Sequence, residues 1–189
     1  MPDNAATEPP VFTRAARGLI VFAHPALEKA RVAPAMLKAA SSLPYFPIRD
    51  LYDLYPDMTV DVLAEQVAMA VSDIVVLQFP LYWYSVPALL KEWLDLVWVP
   101  GWAYGKGGKV LHGKTLACAF SAGGSNEAYG PTGTNRFTIE ELMRPWEQTA
   151  ACAACAGSRP SSSTMPATWT RRCWWRRARA IGAGWRPRR

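Results

Sequence analysis

Three short segments carry residue types that could bind a flat ligand with polar edges. In the first, His24 precedes a proline, and its imidazole could donate to a phosphate or simply cap the turn. The second places Tyr82, Trp83 and Tyr84 in a row after Pro80. Three consecutive aromatic side chains cannot all face one core, so we expect at least one of them to contact a ligand or a partner.

The third segment is a glycine-rich loop, with Gly123 and Gly124 after Ser121 and before Tyr129. Glycines allow a ligand to approach the backbone closely, and the serine adds a hydroxyl. A Gly-Gly pair alone is a weak signal. Together, three such segments at one edge of a fold predict a site for a flat aromatic ligand.

Each segment follows a short apolar run, which is typical of a strand buried on both faces of a parallel sheet. The runs are residues 18–23, 73–78 and 115–120, and helical spacing separates them at residues 27–40, 60–71 and 87–97. This alternation predicts an α/β fold with a doubly wound parallel sheet and helices on both faces. Such sheets bind ligands outside the carboxyl ends of their strands, where all three segments are expected.

Two further elements are less regular. Residues 45–51 are a poorer strand candidate because they contain Pro47, which suits an edge strand. Residues 137–149 have a helical pattern that Pro145 is expected to kink or end.

Composition predicts one domain in a chain of 189 residues, half of them hydrophobic. Residues 1–16 contain no apolar signal segment and are expected to be a flexible leader, so a soluble cytoplasmic protein is predicted. The net charge of +6 is uneven, since residues 151–189 hold nine of the 21 basic residues and none of the 15 acidic ones. The remaining body is mildly acidic, which argues against a nucleic-acid binder.

The segment 151–189 differs from the body in composition as well as in charge. It loses all periodicity and holds four of the nine tryptophans, a bias typical of GC-rich DNA translated in the wrong frame. We therefore predict a frameshift near Ala150, with a basic disordered tail replacing the last strand and helix of the domain at 17–150. The alternative is a genuine basic tail that binds acidic partners. Cys152 and Cys155 have C-x-x-C spacing without a second ligand pair, so no metal site is predicted.

The stretches FAHPALEKARV, QFPLYWYSVPALLKEWLD, GWAYG and SAGGSNEAYG resemble the flavodoxin-like NAD(P)H dehydrogenase (quinone) family. The resemblance runs from about Arg17 to Ala150. It is closest to the branch that contains the ancillary oxidoreductase of glutathione-gated potassium efflux systems.

The resemblance implies FMN or FAD as cofactor, NAD(P)H as co-substrate and hydride transfer through the flavin to a quinone. Tyr129 is the implied catalytic residue, near the reacting edge. The implied cofactor-binding residues are His24, Pro80, Leu81, Tyr82, Trp83, Tyr84, Ser121, Gly123, Gly124 and Tyr104. His24 is expected at the phosphates, and Tyr104 or Trp102 over the flavin of a second subunit, which implies a homodimer. Alternatives are a regulatory subunit of a membrane potassium-efflux antiporter, and an inactive truncated relic.

Two positions depart from the family pattern. Ala30 and Ala33 stand where the family carries a serine and an asparagine that bind the phosphate. Each missing donor is worth about 1.5–3 kcal/mol toward a charged phosphate. The sequence therefore predicts weakened flavin affinity, with backbone amides at the helix start as the remaining donors.

Overall fold

The apolar runs form the strands of one parallel sheet in the computed structural model, which describes residues 17–154. The strands are β1 (Gly18–Phe22), β2 (Ile48–Asp50), β3 (Ile74–Pro80) and β4 (Thr115–Ser121). Their order across the sheet is β2-β1-β3-β4, and every pairing is parallel. The predicted parallel sheet is confirmed.

Strand β2 lies at one edge of the sheet, as the proline in its sequence indicated. It is only three residues long and pairs with β1 alone among the described strands. Pro47 comes just before it, and the Pro47 carbonyl accepts a hydrogen bond from Ile20 N at 2.9 Å. Proline lacks an N–H but keeps this acceptor, so it is tolerated where only one side of the chain is paired.

Six α-helices and two 3₁₀ turns occur in the described part of the chain. The helices are α1 (Ala33–Ser41), α2 (Leu51–Leu54), α3 (Val62–Ala70), α4 (Ala88–Val97), α5 (Ile139–Leu142) and α6 (Arg144–Ala154). The 3₁₀ turns are Leu27–Lys29 and Asn126–Ala128. None of these helices is long and apolar enough to cross a membrane.

The helix predicted over residues 27–40 begins later than expected. A 3₁₀ turn, Leu27–Lys29, is followed by extended backbone at Ala30, and α1 starts at Ala33. Pro34 explains the difference, because proline fits the first turn of a helix and breaks its interior. Pro145 acts in the same way: the predicted helix is divided into α5 and α6, with Pro145 in the first turn of α6.

Hydrophobic cores cover both faces of the sheet. Alternate residues of β1 point to opposite sides, so that Leu19 and Val21 belong to one core while Ile20 and Phe22 belong to the other. Helices α3, α4 and α6 contribute to the first core, and α1 contributes to the second. This two-sided burial explains why the strands have continuous apolar sequences.

The predicted boundary after Ala150 falls inside α6, which continues to Ala154. Within residues 17–154, β4 is the second edge of the sheet. The predictions of a flexible leader, a basic tail and a missing last strand and helix fall on residues 1–16 and 155–189. Those residues lie outside the part that the structure describes.

A buried carboxylate joins β2 to the helices on the first face. Glu65 on α3 is fully buried, and its Oε1 accepts from Arg49 Nε and from the Tyr55 hydroxyl, both at 2.6 Å. Its Oε2 accepts from Trp93 Nε1 on α4 at 3.0 Å. Three donors satisfy both oxygens, so a charged group is accommodated inside the core.

Candidate functional site

The carboxyl ends of β1, β3 and β4 lie side by side. Phe22 pairs with Gln78, and Pro80 pairs with Ser121, so the three strands end at the same edge. The Leu81 amide continues this register by donating to the Ser121 carbonyl at 2.7 Å. The loops that follow these strands are therefore held together by the sheet itself.

His24 lies two residues after the end of β1 at Phe22 and is buried. Its Nδ1 accepts a hydrogen bond from Ala26 N at 3.2 Å, so the neutral ring carries its proton on Nε2. The ring stacks on Phe22, and the edge of Tyr82 lies 6.1 Å away between ring centroids. Burial lowers the pKa of His24, and the carboxylates of Glu28 and Asp50 only partly oppose this shift. At neutral pH the side chain is an uncharged donor.

A two-residue turn follows β3. Tyr82 and Ser85 exchange backbone hydrogen bonds of 3.1 and 2.9 Å, which leaves Trp83 and Tyr84 at its tip. Both tip residues have left-handed backbone, with φ of 48° and 63°. Such turns normally carry Asn-Gly or another glycine-containing pair.

The strain of this turn has a consequence for function. Each non-glycine residue in the left-handed region costs about 1–3 kcal/mol, and such residues cluster at ligand sites. The turn holds Trp83 with 92% of its surface exposed, whereas Tyr82 and Tyr84 are about half exposed. An unpacked tryptophan on a strained turn is a ready contact surface for a flat ligand.

The loop after β4 exposes backbone atoms because two of its residues are glycines without side chains. Gly124 has a φ of 92°, which favours glycine, and a Cβ built on Gly123 would meet nothing within 4 Å. The Tyr129 hydroxyl donates to the Gly123 carbonyl at 2.7 Å and so fixes the loop. Burial raises the pKa of Tyr129, with a further contribution from the nearby Tyr84 phenol.

The other predicted residues of these loops take different positions. Pro80 is buried at the end of β3, and the Leu81 side chain packs into the first core, so Leu81 can offer only backbone to a ligand. Ser121 is half-buried as the last residue of β4.

Tyr104 is not brought to this edge of the same chain. It lies in the loop between α4 and β4, where the chain returns to the amino end of β4, and its carbonyl accepts from Gly101 N at 2.8 Å. Trp102 packs against the first core from the same loop.

Ala30 and Ala33 offer no polar side chain to the His24 loop. Ala33 is buried in the second core as the first residue of α1, and Ala30 packs against the same core. The residue before α1 is Val32, which makes no side-chain cap. The first turn of α1 can offer the backbone amides of Ala33 and Ala35, since Pro34 has no N–H and Met36 N donates to the Val32 carbonyl.

Three polar residues near this edge were not predicted from the sequence. Asn135 accepts a hydrogen bond from the Tyr84 hydroxyl at 3.1 Å. Gln78, near the end of β3, is buried and its Nε2 has no hydrogen-bond partner. Asp50 ends β2, and the charge of its carboxylate acts on His24. A glutamine inside an otherwise apolar strand was the one available signal, since a buried amide needs a partner.

Taken together, the site offers one imidazole N–H, an unpartnered buried amide, an exposed aromatic wall and an open glycine backbone. This donor set fits a flat heteroaromatic ring that carries a phosphate. Within residues 17–154 no group of His, Cys, Asp and Glu side chains is arranged to hold a metal ion.

Comparison with known proteins agrees with this architecture. A family model described as Flavodoxin-like fold matches residues 16–154. The glutathione-regulated potassium-efflux system ancillary protein KefG of Cronobacter sakazakii is 42% identical over 141 residues, which cover 75% of this chain and 77% of that protein.

Solved structures are similar as well. General stress protein 14 of Treponema denticola, in complex with FMN, has a TM-score of 0.69 at 37% identity and covers 74% of this chain and 81% of its own. An NADPH-quinone reductase of P. pentosaceus has a TM-score of 0.67 at 35% identity, and the match covers 73% of this chain and 79% of that protein. A protein described as a thermophilic tryptophan halogenase from Streptomycin violaceusniger has a TM-score of 0.70 at 41% identity, and the match covers 76% of this chain and 90% of that protein. Names of different activities accompany one architecture, so the reaction has to be argued from the site. The chain belongs to the family with the flavodoxin-like fold.

Proposed function

We propose that this protein is a flavin-dependent NAD(P)H:quinone oxidoreductase that binds FMN at the carboxyl edge of its sheet. The observation that carries the proposal is the strained turn at Trp83 and Tyr84, held between the His24 donor and the open backbone of Gly123. A relative with an FMN complex and another named NADPH-quinone reductase support the cofactor and the reaction.

Each part of the site has a role in holding the cofactor. His24 Nε2 and the first amides of α1 would bind the phosphate, and the turn from Tyr82 to Ser85 would lie along the ring. The Gly123 and Gly124 backbone would meet the polar edge of the ring. FAD is the alternative cofactor, and it would have to extend beyond these residues.

A bound flavin would supply the redox chemistry, relaying the two electrons of a hydride from NAD(P)H to a quinone, which takes up two protons to give the hydroquinone. The protein's own residues would orient the flavin and shield it from water. Trp83 would cover the ring and exclude water, while Tyr129 holds the glycine loop through its 2.7 Å hydrogen bond to Gly123. With this bond in place the Tyr129 proton is directed at the loop, and its oxygen remains an acceptor at the site.

The first experiment measures flavin binding and turnover on the purified full-length chain. We expect FMN added to the apoprotein to quench tryptophan fluorescence and to support NAD(P)H oxidation with a quinone. The W83A variant should weaken FMN binding by about five- to tenfold, because stacking on one aromatic is worth about 1–1.5 kcal/mol beyond area burial. The matched control is Y45A, an exposed aromatic residue with left-handed backbone whose carbonyl accepts from Gly18 N at the amino end of β1, the opposite edge of the sheet. A chain that binds no FMN and oxidises no NAD(P)H contradicts the proposal.

A homodimer belongs to this proposal, in which Tyr104 of one chain would contact the flavin of the other. Helix α3 presents an apolar stripe in which Leu63 and Val67 are followed by Val71 just after the helix, and all three are more than half exposed. Their spacing of four residues places them on one face. We take this stripe as the surface that pairs with a second copy.

A second candidate function is regulatory. The similarity to KefG supports an ancillary role beside a membrane potassium-efflux system. The test is potassium efflux from cells that contain the antiporter encoded nearest to this gene, with and without the chain. Efflux that depends on the chain but not on its NAD(P)H oxidation favours the regulatory role, and efflux that is independent of the chain contradicts it.

A further inference from the structure

One side-chain hydrogen bond crosses between two of the loops at the candidate site. The Tyr84 hydroxyl donates to Asn135 Oδ1 at 3.1 Å, although the two residues are 51 positions apart in the chain. Tyr84 is at the tip of the strained turn after β3. Asn135 lies in the loop of residues 130–137, which follows Tyr129 and leads to α5.

Asn135 is itself fixed to the segment that carries Tyr129. Its backbone N–H donates to the carbonyl of Ala128, the residue before Tyr129, at 2.9 Å. The same carbonyl lies only 2.3 Å from where a Cβ on Gly133 would stand, so the loop folds tightly back on Ala128. The Asn135 backbone therefore moves with Tyr129 rather than with the turn.

The two phenols of the site are consequently linked through Asn135. The Tyr84 hydroxyl is bonded to Asn135, and the Asn135 backbone is bonded to Ala128, the residue before Tyr129. The turn that bears Tyr84 is held by two backbone hydrogen bonds between Tyr82 and Ser85, against the strain at its tip. Those two bonds restrain the backbone of the turn, whereas the hydrogen bond to Asn135 restrains the Tyr84 side chain.

We propose that Asn135 is a positioning residue that fixes the Tyr84 phenol beside Tyr129, and that this pair of phenols sets how a flat aromatic electron acceptor enters the site. The inference rests on the proposed function and deepens it, since it assigns acceptor specificity to a residue outside the flavin contacts. FMN binding depends on His24, Trp83 and the glycine loop. Acceptor entry depends on the distance that Asn135 sets between the two loops.

The kinetic test compares N135A, Y84F and the double variant on the FMN-loaded full chain. We expect the KM for the quinone to rise about fivefold in each single variant, which corresponds to one net hydrogen bond, while N135A, whose side chain is outside the proposed flavin contacts, leaves FMN affinity and the KM for NAD(P)H unchanged. The double variant should be no worse than either single variant, because both remove the same bond. N135D keeps an oxygen acceptor and should restore the quinone KM. T132A, an exposed change in the same loop, is the control.

A second readout does not require the loaded enzyme. In the apoprotein, amide hydrogen exchange of residues 82–85 and 130–137 should become faster in both N135A and Y84F, and not in T132A. Amide exchange rates in N135A and Y84F that equal those in T132A would overturn the link between the loops. An unchanged quinone KM in an active N135A enzyme overturns the role of Asn135 while leaving the proposed function standing. Absence of FMN binding in the unaltered chain overturns the proposed function instead.

Discussion

At the scale of single residues, His24 gives the site a dependence on pH. Its pKa is lowered by burial, so it is neutral at pH 7 and donates only through Nε2. A bound phosphate favours the protonated ring, so binding takes up a proton on Nδ1 at the expense of the hydrogen bond from Ala26 N, and FMN affinity rises as the pH falls below about 6.5. We expect the dissociation constant of H24Q, relative to that of the unaltered chain, to rise about fivefold between pH 8 and pH 5.5. Fluorescence titrations with FMN at several pH values measure this ratio.

The comparison with H24Q cancels the titration of the FMN phosphate itself, because both proteins bind the same ligand. A ratio that stays constant with pH rules out a contact between His24 and the phosphate. The apoprotein should respond in the opposite sense. Because the folded pKa of His24 is depressed, its contribution to stability is present above about pH 6.5 and is lost as the pH falls through the folded pKa.

Residue types and strand order predicted where His24, Trp83 and Gly123 would meet, because parallel strands end at one edge. They could not predict the left-handed backbone at Trp83 and Tyr84. Neither residue type favours that conformation, and only the surrounding contacts impose it. Asn135 was missed for a similar reason, since its contact with Tyr84 joins segments 51 residues apart.

At the scale of elements, the buried Glu65 cluster ties β2 to α3 and α4. Removing the carboxylate leaves Arg49 without its ion-pair partner and leaves the Tyr55 and Trp93 donors unsatisfied. We expect E65A to lower the free energy of unfolding by about 3–5 kcal/mol, the usual cost of breaking a buried ion pair from one side. Urea unfolding of the apoprotein, followed by circular dichroism, measures the change.

The matched control for E65A is the ion pair of Lys91 and Asp95, which are four residues apart on α4 and more than half exposed. D95A should change the free energy of unfolding by less than about 1 kcal/mol, because solvent screens exposed pairs. Equal losses in E65A and D95A would show that burial does not determine the strength of the Glu65 cluster.

Element boundaries followed the sequence where a proline decided them. Pro34 and Pro145 each lie in the first turn of a helix; the interruption at Pro145 was predicted, whereas residues 27–40 were predicted as one helix in spite of Pro34. Hydrophobic spacing continues across a proline even though the backbone cannot, so the pattern locates the buried face better than it locates the helix start. The short α2 was not predicted, since four residues are too few to show a helical period.

At the scale of the whole molecule, the parallel sheet and its two covered faces followed from apolar runs and their order. Tyr104 lies between α4 and β4, in the segment that leads to the amino end of β4, and the proposal assigns it to the flavin of a second copy. The α3 stripe is the described apolar surface suited to that purpose, and Leu96 on the neighbouring α4 extends it.

The apolar stripe on α3 predicts a dimer that a charged side chain placed within the stripe would dissociate. We expect the 20.9 kDa chain to sediment at twice that mass, and V67E to sediment as a monomer, because a carboxylate buried in an apolar interface lacks a partner. L43E is the matched control, since Leu43 is exposed just after α1, which packs on the other face of the sheet, and this variant should remain dimeric. If Tyr104 contacts the partner's flavin, V67E and Y104A should weaken FMN binding alike, and together no further. A monomeric unaltered chain removes Tyr104 from the flavin site, whereas a dimeric V67E shows that the α3 stripe is not the interface.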